Sequence, residues 1–114
     1  MKLMIVGSRG IKDCDLKPYV AENVDLIISG GARGVDSLAE NFADKNGISK
    51  LILRPDYKRY KRAAPLKRNE AMVNLADEII VIWDVASKGT AYTIKYAKKA
   101  GKPVAVINYP TKNE

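Results

Sequence analysis

Five short apolar runs are spaced along the chain, and most of them lack the polar alternation of a half-exposed strand. Unbroken runs of isoleucine, valine and leucine are typical of strands that are buried on both faces of a parallel sheet. The runs lie at residues 3–7, 26–30, 50–54, 78–84 and 103–108. The pattern therefore predicts five strands, most of them buried.

Helical periodicity lies between these runs. One apolar stripe covers residues 35–45, with hydrophobic side chains at i, i+3, i+4, i+7 and i+8, and Asn46-Gly47 supplies a stop signal behind it. We expect further helices at about residues 67–76 and 89–100, and one near residues 15–23 with Pro18 in its first turn. The sequence thus alternates strand and helix.

This alternation, with right-handed crossovers, predicts an α/β fold. We expect a Rossmann-like three-layer sandwich, in which helices cover both faces of a five-stranded, mainly parallel sheet of order 3-2-1-4-5. Residues 1–109 would form this single domain, and residues 110–114 would be a frayed tail.

The composition excludes several classes of catalytic and metal site. The 114 residues carry a formal charge of +7, no histidine and one cysteine, Cys14. Histidine-dependent catalysis, disulfide frameworks and His- or Cys-rich metal sites are therefore excluded, and we expect no metal. No apolar run approaches the ~20 residues of a membrane span. We expect a cytoplasmic protein without a membrane partner.

Glycine, hydroxyl and cationic residues follow three of the predicted strands. In open parallel sheets, ligands bind beyond the carboxyl ends of the strands, near the point where strand order reverses. Glycine-rich turns and helix N-termini there suit a phosphate or pyrophosphate. The candidates are Gly7, Ser8 and Arg9 after the first strand, Gly30, Gly31, Arg33, Gly34 and Asp36 after the second, and Ser87, Lys88, Gly89 and Thr90 after the fourth.

These loops also have structural interpretations. The glycines at 30, 31 and 34 could serve only a tight turn, and Gly89 could serve only close helix–sheet packing. Asp36 is either an acid favoured in the first turn of a helix or a ligand for ribose hydroxyls. None of the loops matches GxGxxG with its acidic partner or the P-loop. A plain NAD dehydrogenase or a Walker ATPase is therefore disfavoured.

Residues 54–68 form a basic segment with seven cations, one acid and two interleaved tyrosines, Tyr57 and Tyr60. Three interpretations remain open: a solvated loop, the lid of a nucleotide pocket with Tyr57 near the base, or a surface for nucleic acid. The segment ends in Arg68-Asn69-Glu70, which opens a predicted helix. Arg68 and Asn69 are binding candidates, and Glu70 is either a helix acid or a general base.

Taken together, these motifs resemble the YspA-like family of the SLOG superfamily. The residues that carry the resemblance are Gly7-Ser8-Arg9, the block 29–36, the block 68–72, Trp83-Asp84 and the block 87–90, in matching order over about residues 3–108. The resemblance implies a Rossmann-like fold, a pocket for a nucleotide or a derivative of NAD or ADP-ribose, and a homodimer. It also implies a sensor or nucleotide-processing protein of bacterial and phage conflict systems.

Two related groups sharpen the alternatives. The lysine-decarboxylase-like phosphoribohydrolases are similar at Arg68, Met72 and Gly89-Thr90, but Thr93 stands where their glutamate belongs. A threonine cannot act as the carboxylate of glycosidic cleavage, so Glu70 or Asp36 would have to replace it. The DprA recombination mediators share the glycine-rich block and bind single-stranded DNA.

Three functions follow in order of preference. The first is a module that binds a nucleotide-like small molecule. The second is a nucleotide N-glycosidic hydrolase with Glu70 or Asp36 as the base and Arg68 on the leaving phosphate. The third is a single-stranded nucleic-acid binder that uses the cations Lys58, Arg59, Lys61, Arg62 and Lys67.

Overall fold

The five apolar runs form one all-parallel sheet in the computed structural model, which describes residues Met1–Tyr109. The strands are β1 (Lys2–Gly7), β2 (Leu26–Ser29), β3 (Ser49–Ile52), β4 (Glu78–Trp83) and β5 (Val104–Asn108). Their order, β3-β2-β1-β4-β5, confirms the predicted Rossmann-like topology. The predicted tail, residues 110–114, lies outside the described residues.

Four helices accompany the sheet: α1 (Val35–Lys45), α2 (Tyr57–Tyr60), α3 (Ala64–Leu75) and α4 (Lys88–Lys99). Helix α1 packs on one face of the sheet, and α3 and α4 pack on the other. Each face has its own apolar cluster, and α3 and α4 share one. The predicted bounds of α1 are confirmed. Helix α3 starts three residues earlier than expected, because Pro65 occupies its first turn, where the missing N–H of proline has no cost.

The helix predicted near residues 15–23 is wrong. The structure has only a short 3-10 turn there, Lys17–Tyr19. The Asp15 side chain accepts a hydrogen bond from the Lys17 amide at 3.1 Å, and such local bonds compete with helix formation. The chain between β1 and β2 still packs in the same apolar cluster as α1, through the buried side chains of Ile11, Leu16 and Val24.

Burial on both faces is confined to the centre of the sheet. The side chains of β1 and β4 are buried from Leu3 to Val6 and from Ile79 to Ile82, whereas the edge strands β3 and β5 are largely exposed. An edge strand has only one neighbour to help cover it. In the described part of the chain, no helix is both long and apolar enough to cross a bilayer.

Strand register aligns the loops that carry the candidate residues. Gly7 pairs with Ile82 on β4, and Ser29 pairs with Ile52 on β3, so neighbouring strands end at nearly the same level. The chain turns towards β2 after β1 and crosses to the other side of β1 after β3. This reversal of direction separates the loops after β1 and β4 and makes room for a cleft there.

Candidate functional site

Two adjoining cavities lie at the carboxyl edge of the sheet, with volumes of about 290 Å³ and 320 Å³. Arg9, Ala32 and Arg68 line both cavities, so we treat the pair as one cleft. The first cavity is lined by Val6, Gly7, Arg9, Gly10, Ala32, Asp36, Pro65, Leu66, Arg68, Asn69, Asp84, Ser87, Gly89 and Thr90. The second is lined by Arg9, Gly30, Gly31, Ala32, Arg33, Arg54, Pro55, Tyr57 and Arg68.

Most of the candidate binding residues therefore lie together, and three of them do not line the cleft. Ser8 is buried, and its hydroxyl accepts a hydrogen bond from the Asp84 amide at 3.0 Å. Gly34 contacts the backbone of Arg9 closely. Lys88 is exposed to solvent. Ser8 and Gly34 thus hold the loops in place, and the cleft is charged mainly by arginine.

Asp36 is the buried acid of the cleft. Its side chain lies in the first turn of α1 and the residue is only 4% exposed. One carboxylate oxygen, Oδ2, accepts a hydrogen bond from the Ala32 amide at 3.2 Å. The other, Oδ1, is buried without a partner among the described residues. Burial raises the pKa of Asp36 to about 6, although the Ala32 amide and the nearby Arg68 charge act in the opposite direction.

Arg68 ties the ends of two strands together from inside the cleft. Its Nη1 donates to the carbonyl oxygens of Gly30 and Leu53, which follow β2 and β3, and its Nε donates to Asn69 Oδ1 at 2.8 Å. Burial lowers the pKa of this guanidinium, and the Asp36 charge opposes that effect. A guanidinium has five N–H donors. The Nη2 donors have no acceptor within residues 1–109, and they remain for a ligand.

A chain of polar side chains extends from Arg68 to α4. The Asn69 amide donates to the Thr93 hydroxyl at 2.9 Å, and that hydroxyl donates to the Gly89 carbonyl at 3.0 Å. Both side chains are buried. Thr93, at the position of the hydrolase glutamate, therefore positions the start of α4. Its role was missed because its contact with Asn69 joins residues far apart in sequence.

The start of α4 is partly occupied by the protein's own carboxylate. Ser87 is the N-cap of α4, and its hydroxyl accepts a hydrogen bond from the Thr90 amide at 3.4 Å. Asp84 Oδ1 accepts from the amides of Ala86 and Ser87, both at 2.9 Å, and these bonds hold the pKa of Asp84 below its usual range. The Thr90 amide is already used by the Ser87 cap, so the predicted anion site is restricted to the Lys88 and Gly89 amides of the first turn of α4, which have no intrahelical acceptor.

The glycines of the cleft differ in how much space they leave for a side chain. A Cβ added at Gly7 would lie 2.1 Å from the Ile82 carbonyl oxygen, so packing alone requires this glycine. At Gly89, no atom lies within 4 Å of the position that a Cβ would take. The interpretation that Gly89 serves close helix–sheet packing is therefore wrong; the residue is exposed to solvent and lines the first cavity.

We expect Gly89→Ala to fold normally and to raise the free energy of unfolding by about 0.5–1 kcal/mol, because alanine costs less backbone entropy in a helix. Gly7→Ala is the contrasting variant, and its overpacked methyl group should destabilise the protein by about 1–3 kcal/mol. Urea titration of both variants tests this difference. A Gly89→Ala variant as unstable as Gly7→Ala would contradict the open geometry.

Glu70 lies apart from the cleft. Its carboxylate accepts a hydrogen bond from the Tyr92 hydroxyl on α4, and it also lies 3.7 Å from Lys67 Nζ. It is not among the residues that line either cavity. The proposed role of Glu70 as a catalytic base therefore has no geometric support, and Asp36 is the candidate base that does line the cleft.

Arg54 is a cleft residue that the sequence analysis missed. It follows β3 and lines the second cavity, where its Nη1 donates to the Gly31 carbonyl at 3.4 Å. The strand-end rule applied to the other loops would have found it. The basic segment instead drew attention to its charge as a whole.

No family model matches the chain. The sequence is similar to the Gene 61 protein of Mycobacterium phage D29, with 29% identity over 124 residues. The alignment covers 97% of this chain and 98% of the phage protein, so the two are alike from end to end. The chain is a parallel Rossmann-like α/β domain with a distant homologue in a phage.

Proposed function

We propose that the protein binds a nucleotide or a nucleotide-derived ligand in the cleft, as a sensor or accessory protein of a bacterial or phage system. The observation that carries this proposal is the buried Asp36 carboxylate, with one unpartnered oxygen, in a cleft whose other charged groups are mainly guanidinium groups. The resemblance to the YspA-like family and the similarity to a phage protein agree with it.

The two kinds of charge suit the two parts of a nucleotide. A carboxylate oxygen that lacks a donor accepts a hydrogen bond from a ribose hydroxyl, as acidic residues do in dinucleotide-binding folds. Arg9 lines both cavities and lies near the first turn of α4, where a phosphate would find amide donors. The Tyr57 ring is 57% exposed in the second cavity and offers a face for the base.

The number of contacts is sufficient for measurable affinity. A charge-assisted hydrogen bond contributes roughly 1.5–3 kcal/mol. Two or three of them, with stacking on Tyr57, bring the dissociation constant into the micromolar range after the costs of association. The exposed guanidinium groups of Arg33 and Arg54 add attraction for a second phosphate.

Thermal unfolding with AMP, ADP, ADP-ribose or NAD tests the proposal. We expect at least one of them to raise the midpoint at saturating concentration, since a ligand that binds only the folded state stabilises it. Adenosine should give a smaller shift because it lacks phosphate. Arg33→Ala and Arg9→Ala should each weaken binding by roughly 10-fold or more.

Lys45→Ala is the matched control for these variants. It removes an exposed cation at the end of α1, away from the carboxyl edge of the sheet. Its response to ligand should equal that of the unmodified protein. The proposal fails if no nucleotide shifts the midpoint, or if Arg9→Ala and Arg33→Ala respond like the control.

A further inference from the structure

Six exposed cations lie between residues 54 and 67, in a segment whose Arg54 and Tyr57 line the cleft. We call this surface the basic edge, and it comprises Arg54, Lys58, Arg59, Lys61, Arg62 and Lys67. Among the described residues, Lys67 is the only one of the six in an ion pair, 3.7 Å from Glu70. The single acid of the segment, Asp56, accepts a hydrogen bond from the Arg59 amide at 3.2 Å and caps α2. The basic edge therefore presents nearly uncompensated positive charge.

Two tyrosines lie among the cations of the basic edge. Tyr57 is the most exposed large apolar side chain in the described part of the protein, at 57%. Tyr60 is less exposed, and the Arg59 guanidinium lies 5.2 Å from the centre of its ring. Cations that contact phosphates and an exposed ring that stacks on a base are the two components of sequence-tolerant binding to single strands.

The backbone under the basic edge disfavours a duplex as the partner. Helix α2 has only four residues, and a 3-10 turn, Lys61–Ala63, joins it to α3. Proteins that read a duplex usually place a longer helix or a β-ribbon in the major groove. A flexible single strand can follow such a short, bent segment and leave its bases free to reach Tyr57.

We propose that the basic edge binds single-stranded nucleic acid, with phosphates on its lysines and arginines and one base stacked on Tyr57. This surface is additional to the cleft, although Tyr57 adjoins both. The binding would be tolerant of sequence and strongly dependent on salt, because it depends on the release of counterions from the strand.

Fluorescence anisotropy with a labelled mixed-sequence single strand, at several salt concentrations, tests the proposal. The test variant replaces Lys58, Arg59, Lys61 and Arg62 by glutamine. Each neutralised phosphate contributes about −0.7 to the slope of log affinity against log salt, so the variant should reduce the slope by up to about 3. Tyr57→Ala should weaken binding roughly 5- to 100-fold and leave the slope unchanged.

The control variant carries glutamine at the exposed lysines Lys45, Lys95, Lys98 and Lys99, with the same loss of charge. It should bind the strand like the unmodified protein. Equal loss in both quadruple variants, binding of a duplex or heparin as tight as binding of the single strand, or no binding at low salt would each overturn the proposal. Asp36→Asn tells the two surfaces apart, since it should impair nucleotide binding in the cleft and leave strand binding intact.

Discussion

Replacing Arg68 by methionine should lower the free energy of unfolding by about 3–5 kcal/mol, the largest stability effect we expect from any single change in the cleft. The substitution leaves the Gly30 and Leu53 carbonyl oxygens without their donor and leaves Asp36 buried without its neighbouring positive charge. Domains of this size have total stabilities of only about 5–15 kcal/mol. Urea or thermal unfolding measures the loss directly.

The double variant Arg68→Met with Asp36→Asn tests whether the isolated Asp36 carboxylate causes part of this instability. If the isolated carboxylate is a main source of the instability, Asp36→Asn should stabilise the Arg68→Met variant by more than the roughly 2–3 kcal/mol that it gives when Arg68 is present. Arg68→Lys should be intermediate, because an ammonium cannot reproduce the fork of donors. A cost of less than about 1 kcal/mol for Arg68→Met would show that Arg68 does not hold the ends of β2 and β3 together.

Asp36→Asn should have opposite effects on stability and on binding. The folded protein holds the Asp36 proton up to a pKa of about 6, against 3.8 for an ordinary aspartate. Ionising this buried carboxyl therefore costs stability, and the cost grows as the pH rises from about 4 to 6. At about pH 7.5, a neutral asparagine side chain in place of the carboxylate should raise the free energy of unfolding by about 2–3 kcal/mol.

The pH dependence of the free energy of unfolding tests whether the ionised Asp36 carboxyl is the origin of this gain in stability. Below about pH 3 the carboxyl is protonated in both the folded and the unfolded chain, so the variant and the unmodified protein should differ least there. The variant should also bind nucleotides about 10-fold more weakly, because an amide is a poorer acceptor for the ribose hydroxyl. Asp13→Asn, at an exposed position, controls for the change in net charge. Identical pH profiles for the two variants would contradict the effect of burial.

The sheet could be predicted because its pattern is local. Unbroken apolar runs at β1 and β4 report burial on both faces, and the stripe of α1 reports one covered face. The helix prediction at residues 15–23 failed because the Asp15 side chain accepts a hydrogen bond from the backbone amide of Lys17. Periodicity does not record such bonds.

The cleft was predicted only as a location. The rule for strand ends brought together residues from three loops, and the structure places most of them around the two cavities of one cleft. Two features needed coordinates. Asp84 occupies amides that the sequence analysis had reserved for a ligand, and Glu70 is turned towards Tyr92. Both depend on side-chain directions across the fold, and residue types alone do not define these.

The vacant space beside Gly89 has a consequence for how such a domain diversifies. A Cβ there meets no neighbour outside its own helix turn, so a small side chain such as that of alanine or serine can be added to the lining of the cleft without first disturbing the framework. Under the proposed function, ligand preference can therefore change through this one position, while the sheet beneath stays the same.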